Sequence, residues 1–219
     1  NNFDDYLTPF PILKIAQQRL QFFKQHGASG IFFNGSGYNY SSFDEMRTFV
    51  LSSLLINPEL PVDDLIRSYF NQEYPVSKKW LYDYYTELEN NAQSGKRLGL
   101  YAGIRESEKA FLYPDQFIKF YDEMGDFVSE AKGKERKKLH ELQTALSFTR
   151  LELGRDHGFD AYGYAKRNGK EIQPVPQARK WITQLKEHKA FTGMEYYNES
   201  AYEIDYYIKE WEQYLLASD

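Results

Sequence analysis

Apolar residues recur at helical spacing along most of this chain. Ile12, Ile15, Ala16, Leu20 and Phe23 share one stripe, and the run ends at His26-Gly27, a cation followed by glycine, so the spacing predicts a helix over 12–26. Gly30-Ile31-Phe32-Phe33 is different: a short β-branched and aromatic run that ends in Asn34-Gly35-Ser36-Gly37. It predicts one strand with a tight loop at its C-terminal end. A second amphipathic pattern opens at Ser42-Phe43-Asp44-Glu45, which reads as a capping box, and carries Met46, Phe49, Val50, Leu54 and Leu55 inward before Asn57-Pro58 stops it.

Beyond Asn57 the pattern is helical almost throughout. Pro61-Val62-Asp63-Asp64 begins a helix that runs to about Gln72, with its acids in the first turn where the helix dipole favours them. The next follows Pro75, with Trp80, Leu81, Tyr84, Tyr85 and Leu88 facing inward. Ser94-Gly95 breaks the pattern, and 96–105 reads as a strand-like or irregular connection. Pro114-Asp115 opens a helix through Ala131, and Lys134 to about Arg155 places Leu139, Leu142, Leu146 and Leu153 at helical spacing. Gly158–Gly169 reads as a loop around Tyr162-Gly163-Tyr164, and helices over 176–189 and 199–216 close the chain. No repeat is visible, which excludes a solenoid. The expected fold is mainly α. A terminal βα remnant of a TIM-barrel-like domain occupies 1–57, and a helical C-terminal domain occupies 58–219. In barrels and open α/β sheets ligands bind beyond the C-terminal ends of the strands, so loop 34–41 is the candidate ligand-facing element.

Composition narrows the function classes. The 219 residues carry a net charge of −5, which counts against a nucleic-acid surface. The one basic run, Lys132–Lys138, reads as the opening of an exposed helix. No stretch approaches the roughly 18 apolar residues of a membrane span, and no signal peptide is visible in NNFDDYLTPFP. The absence of cysteine excludes disulfides and thiol nucleophiles. Aromatic residues reach 17%, which suits either core packing or stacking on sugar rings.

Reactive constellations are sparse. His26 and His188 read as helix-end cations, and His140 and His157 as helix-surface residues; none has metal-ligand spacing, so neither metal nor cofactor is expected. No nucleophile elbow or Walker loop occurs. A glycosidase needs two carboxylates roughly 5 to 9.5 Å apart. Asp44-Glu45 and Asp63-Asp64 are explained as helix starts and Asp4-Asp5 as a turn, so no catalytic pair is expected.

Several short motifs occur in an order that carries a resemblance. Asn2-Phe3-Asp4-Asp5-Tyr6-Leu7 with Pro9-Phe10-Pro11, then Phe23 to Gly27 with Gly30-Ile31-Phe32, then Arg47 through Leu55-Ile56-Asn57-Pro58, and finally Val62 to Ile66 with Phe70 and Glu73-Tyr74 together resemble the late-barrel segment of an uncharacterised bacterial glycoside-hydrolase-like family, a domain of unknown function related to the α-glucuronidases. The resemblance covers about residues 2–90. It implies a (β/α)₈ hydrolase with a helical C-terminal extension, acting on polysaccharide-derived sugars, whose catalytic carboxylates lie outside this chain. Asn34, Ser36 and Tyr38 would then sit at the mouth of the final strand. Phe3, Asp4 and Tyr6 would lie in the loop after the preceding strand, and both groups would line a sugar subsite. On this reading the chain is inactive alone and supplies cleft wall and support. Its partners would be carbohydrate and either a second copy or the rest of the barrel, with no nucleic acid and no membrane span, in a periplasmic or extracellular setting. The alternative is a stand-alone helical carbohydrate-binding or protein-interaction module.

Overall fold

The computed structural model describes residues 2–36, 39–93, 98–157, 165–167, 171–173 and 176–216, and these are mainly helical. In chain order the helices are α1 (Leu13–Gln25), α2 (Asp44–Ile56), α3 (Val62–Glu73), α4 (Lys78–Ala92), α5 (Ile104–Ala110), α6 (Pro114–Glu130), α7 (Gly133–His157), α8 (Pro176–Thr192) and α9 (Ile204–Leu216). A small antiparallel pair, β1 (Ala165–Arg167) and β2 (Glu171–Gln173), sets Ala165 opposite Gln173. It falls partly within the predicted 158–169 loop, whose Tyr162-Gly163-Tyr164 lies outside the described residues. Helix α5 begins only at Ile104, at the end of the 96–105 connection.

Helix α7 is the axis of the packing: α5, α6 and α8 all lie against it. Its 25 residues bury Leu139, Leu142, Leu146, Leu151 and Leu153, because partners approach from several sides rather than one. The aromatic residues organise the adjoining core. Phe43 touches the rings of Phe70, Tyr84, Tyr85 and Phe120, while Phe120 stacks on Tyr84 at 3.6 Å and on Trp80 at 4.3 Å. Much of the unusual aromatic content is therefore interior packing. One cluster of buried apolar side chains runs from Leu7 and Leu13 through Ile66 and Tyr85 to Trp211, on both sides of residue 57.

Two helix starts are capped from a distance. Glu89 of α4 accepts hydrogen bonds from the Leu13 and Lys14 amides at 2.8 and 3.1 Å, at the first turn of α1. Glu135 of α7 accepts from the Ser77 amide and hydroxyl, both at 2.9 Å, where α4 begins. Each carboxylate satisfies helix N–H groups that have no partner within their own helix.

The predicted strand Gly30–Phe33 does not form. Residues 28–36 are irregular, and no hydrogen bond among the described residues engages the backbone of 29–35. A strand exists only through a neighbouring strand, and the described chain places none beside it. The α1 ending is as expected: Gly27 follows the C-cap His26 at φ +79°, a left-handed position that glycine takes without penalty. The capping box is corrected. Helix α2 starts at Asp44 after Phe43 in the left-handed region (φ 62°), and no local side chain caps it. Ser42 instead donates its hydroxyl to the Leu7 carbonyl at 2.5 Å and its amide to the Tyr6 carbonyl at 3.0 Å, fastening the N-terminal segment to the start of α2.

Candidate functional site

Two concave regions flank the first turn of α2. The larger is a groove of about 530 Å³ between α1, α2 and the irregular segment. Ile15, Leu20 and Phe23 of α1, Ile31 and Phe33 of the segment, and Leu51 of α2 form its apolar floor and walls. Phe3, Asn34 and Ser36 also line it, so three of the six residues expected at a subsite meet in one place. Ser36 is buried and donates to the Asn39 carbonyl at 2.8 Å. Outside the groove the same flank exposes Phe22, Ile56 and, at 88% exposure, Phe32.

The remaining three expected residues are elsewhere. Asp4 points away from the groove and lies near Gly103, whose added Cβ would come within 3.4 Å of the Asp4 carboxylate and 3.3 Å of that of Glu106. Burial and the Glu106 charge push the Asp4 carboxyl up from its ordinary range. Tyr6 is buried, and its amide donates to the Tyr197 carbonyl. Tyr38 lies outside the described residues.

The smaller region is a pocket of about 180 Å³ between the start of α2, the end of α3 and the middle of α7. Tyr40, Phe43, Tyr69, Phe70 and Tyr74 give it aromatic walls. At one side Lys138 reaches Glu45 and, at 2.7 Å, Glu73, while the Tyr69 hydroxyl donates to Glu45 at 2.9 Å. Burial raises the Glu45 carboxyl, but hydrogen bonds from Lys138 and Tyr69 outweigh it and hold the group below its ordinary range. Hydrogen bonds from Lys134 and Lys138 pull Glu73 down to about 2. Glu141 behaves in the opposite way: burial, aided by the Glu45 charge, pushes its carboxyl up. Tyr40 is likewise driven well above the ordinary phenol range, by burial and then by Glu141.

Behind Tyr40 lies His188, fully buried and set edge-on against the Tyr40 ring at 4.4 Å. Its burial lowers the imidazole pKa to about 4, so at neutral pH it is uncharged. This corrects its reading as a helix-end cation: α8 continues past it to Thr192, and the α7–α8 interface closes over the ring. His157 has company that sequence spacing did not show. Ligand atoms of Glu108, Asp156 and His157 all lie within 4.8 Å of one another, with Asp156 also paired to Arg105 and His157 at 2.5 Å from Glu108. Asp5 takes the turn role expected of it, accepting from the Leu7 and Thr8 amides at 2.7 Å each.

Among the described residues no helix is long and apolar enough to cross a membrane. A family model described as "Domain of unknown function (DUF4838)" matches residues 1–87, the part that includes α1, the irregular segment, α2 and α3. No curated protein and no solved structure matches the chain.

Proposed function

We propose that this chain is the supporting, cleft-lining part of a glycoside-hydrolase-like protein acting on polysaccharide-derived sugars, with the catalytic carboxylates supplied outside it. The observation that carries the reading is the flank of α1 and segment 30–33. It combines strand-like composition, a 29–35 backbone that no hydrogen bond engages among the described residues, and exposed Phe32 beside an apolar groove. Such a surface is complementary to the edge of a sheet, which would pair the free amides and carbonyls and cover the apolar side chains. Asn34 and Ser36 would then stand where the barrel mouth meets the sugar. The chain's own buried carboxylates support the same division of labour: Glu89 and Glu135 are committed to helix caps, which leaves them no role in bond cleavage.

A second reading, a self-standing carbohydrate-binding module, is favoured by one observation: Tyr101, Tyr202 and Tyr206 are each more than half exposed. Calorimetric titration of a glycan panel separates the two. The first reading expects that any saturable binding is lost in Asn34→Ala, and that the chain alone hydrolyses no glycoside. Binding that survives Asn34→Ala but fails in Tyr202→Ala with Tyr206→Ala moves the sugar site to the module surface. Hydrolysis by the chain alone contradicts the proposal, and no glycan binding by the folded chain removes the self-standing module.

A further inference from the structure

The pocket between α2, α3 and α7 contains polar groups that nothing in the fold uses. Among the described residues the Glu141 carboxylate makes no hydrogen bond or ion pair, and the Tyr40 and Tyr74 hydroxyls make no hydrogen bond. The buried carboxylate of Glu135, by contrast, accepts from three separate donor groups. These groups face the open pocket, where their hydrogen-bonding capacity is left to solvent or to a ligand. The three groups are also mutual neighbours: the charge of Glu141 acts on both tyrosines, and Tyr74 acts on Tyr40.

Charge decides what would satisfy them. Asp44, Glu45 and Glu141 line the pocket against a single cation, Lys138, and Lys138 is already held by Glu45 and Glu73. An anion would face those carboxylates with no free positive group to receive it. A cation would find the carboxylate of Glu141, two hydroxyl acceptors and the faces of aromatic rings, the combination that recognises ammonium groups. Size sets the rest. The cavity of about 180 Å³ is close to the roughly 150 Å³ cavity that accommodates benzene, so the ligand is of about that bulk.

We propose that this pocket binds a compact primary ammonium ion, whose N–H groups donate to Glu141, Tyr40 and Tyr74 while its apolar body lies between Phe43, Phe70 and Tyr40. The site is separate from the groove and stands whether or not the groove docks a barrel. Calorimetry with butylamine, putrescine and butanol tests it directly, since butanol matches butylamine in shape without the charge. The two amines bind saturably and butanol does not. Glu141→Gln weakens amine binding by about tenfold or more, the scale of one charge-assisted hydrogen bond, and Tyr40→Phe weakens it several-fold. Tyr40→Phe keeps the ring against His188, so it remains a test even where Glu141→Gln perturbs folding. Equal binding of butanol, no binding of either amine to the folded chain, or amine affinity unchanged in both variants overturns the proposal.

Discussion

Phenylalanine does opposite things on the two sides of this molecule. Around Phe43 it closes the interior: Phe43, Phe70 and Phe120 are each at most 8% exposed, with Phe43 edge-to-face with Phe70 and tilted against Phe120. Along α1 and the segment after it, Phe22, Phe23, Phe32 and Phe33 stand between 41% and 88% exposed. The interior is complete because every element that contributes to it brings a facing partner. The flank has the same chemistry without the partner, and among the described residues nothing bonds the backbone of 29–35. Residue type therefore does not distinguish a core from an interface; the presence of a complementary surface does.

The sharpest way to break the comparison is to damage the finished side. Phe120→Ala removes the ring stacked between Tyr84 and Trp80 and is expected to cost about 3–5 kcal/mol in urea unfolding, whereas truncation on the flank should cost far less. Next in size is a pH effect confined to the interior. Burial takes His188 from its ordinary 6.5 to about 4, so as pH falls through that window the unfolded chain gains a proton that the folded chain refuses. Folding loses about 3 kcal/mol from this group between those limits.

Asp5 opposes it: burial lifts its carboxyl from 3.8 to about 7, so on acidification the folded form protonates first and gains stability. Asp5→Asn, which keeps an oxygen for the Leu7 and Thr8 amides, should therefore lose more stability than the parent between pH 7 and 4.5. His188→Gln should lose less, and midpoints of urea unfolding at the two pH values read both. Glu135→Ala leaves the Val76 and Ser77 amides without their acceptor and is expected to cost about 2 kcal/mol, measured in the same way. Smallest is Phe32→Lys, within about 0.5 kcal/mol of the parent in thermal or urea unfolding, because the ring is already in water.

The helical pattern was legible wherever it depended on local spacing. The stripe from Ile15 to Phe23, the acids at Asp63-Asp64 and the proline at 114 mark α1, α3 and α6 closely. What failed depended on distant partners. Gly30–Phe33 has the composition of a strand, but pairing is a property of two segments. Ser42 has the sequence of an N-cap, but Leu7, 35 residues away, takes its hydroxyl. The real caps, Glu89 and Glu135, act across 76 and 58 residues, where no motif links them. The candidate site divides in the same way. Phe3, Asn34 and Ser36 were expected together through the resemblance, and the groove is lined by all three, whereas Asp4 and Tyr6 of the same set lie elsewhere. Tyr40, Tyr74 and Glu141 come from a loop, a helix end and a mid-helix turn, and only the packing of α2, α3 and α7 makes them neighbours.

The claim that the flank is a docking surface is tested most directly by sedimentation velocity of the chain over a wide concentration range, beside Phe32→Lys. An unpartnered apolar flank predicts self-association that grows with concentration and is suppressed by the lysine, with the fold unchanged by circular dichroism. A parent chain that stays monomeric throughout, or that associates equally well with Lys at position 32, would contradict it.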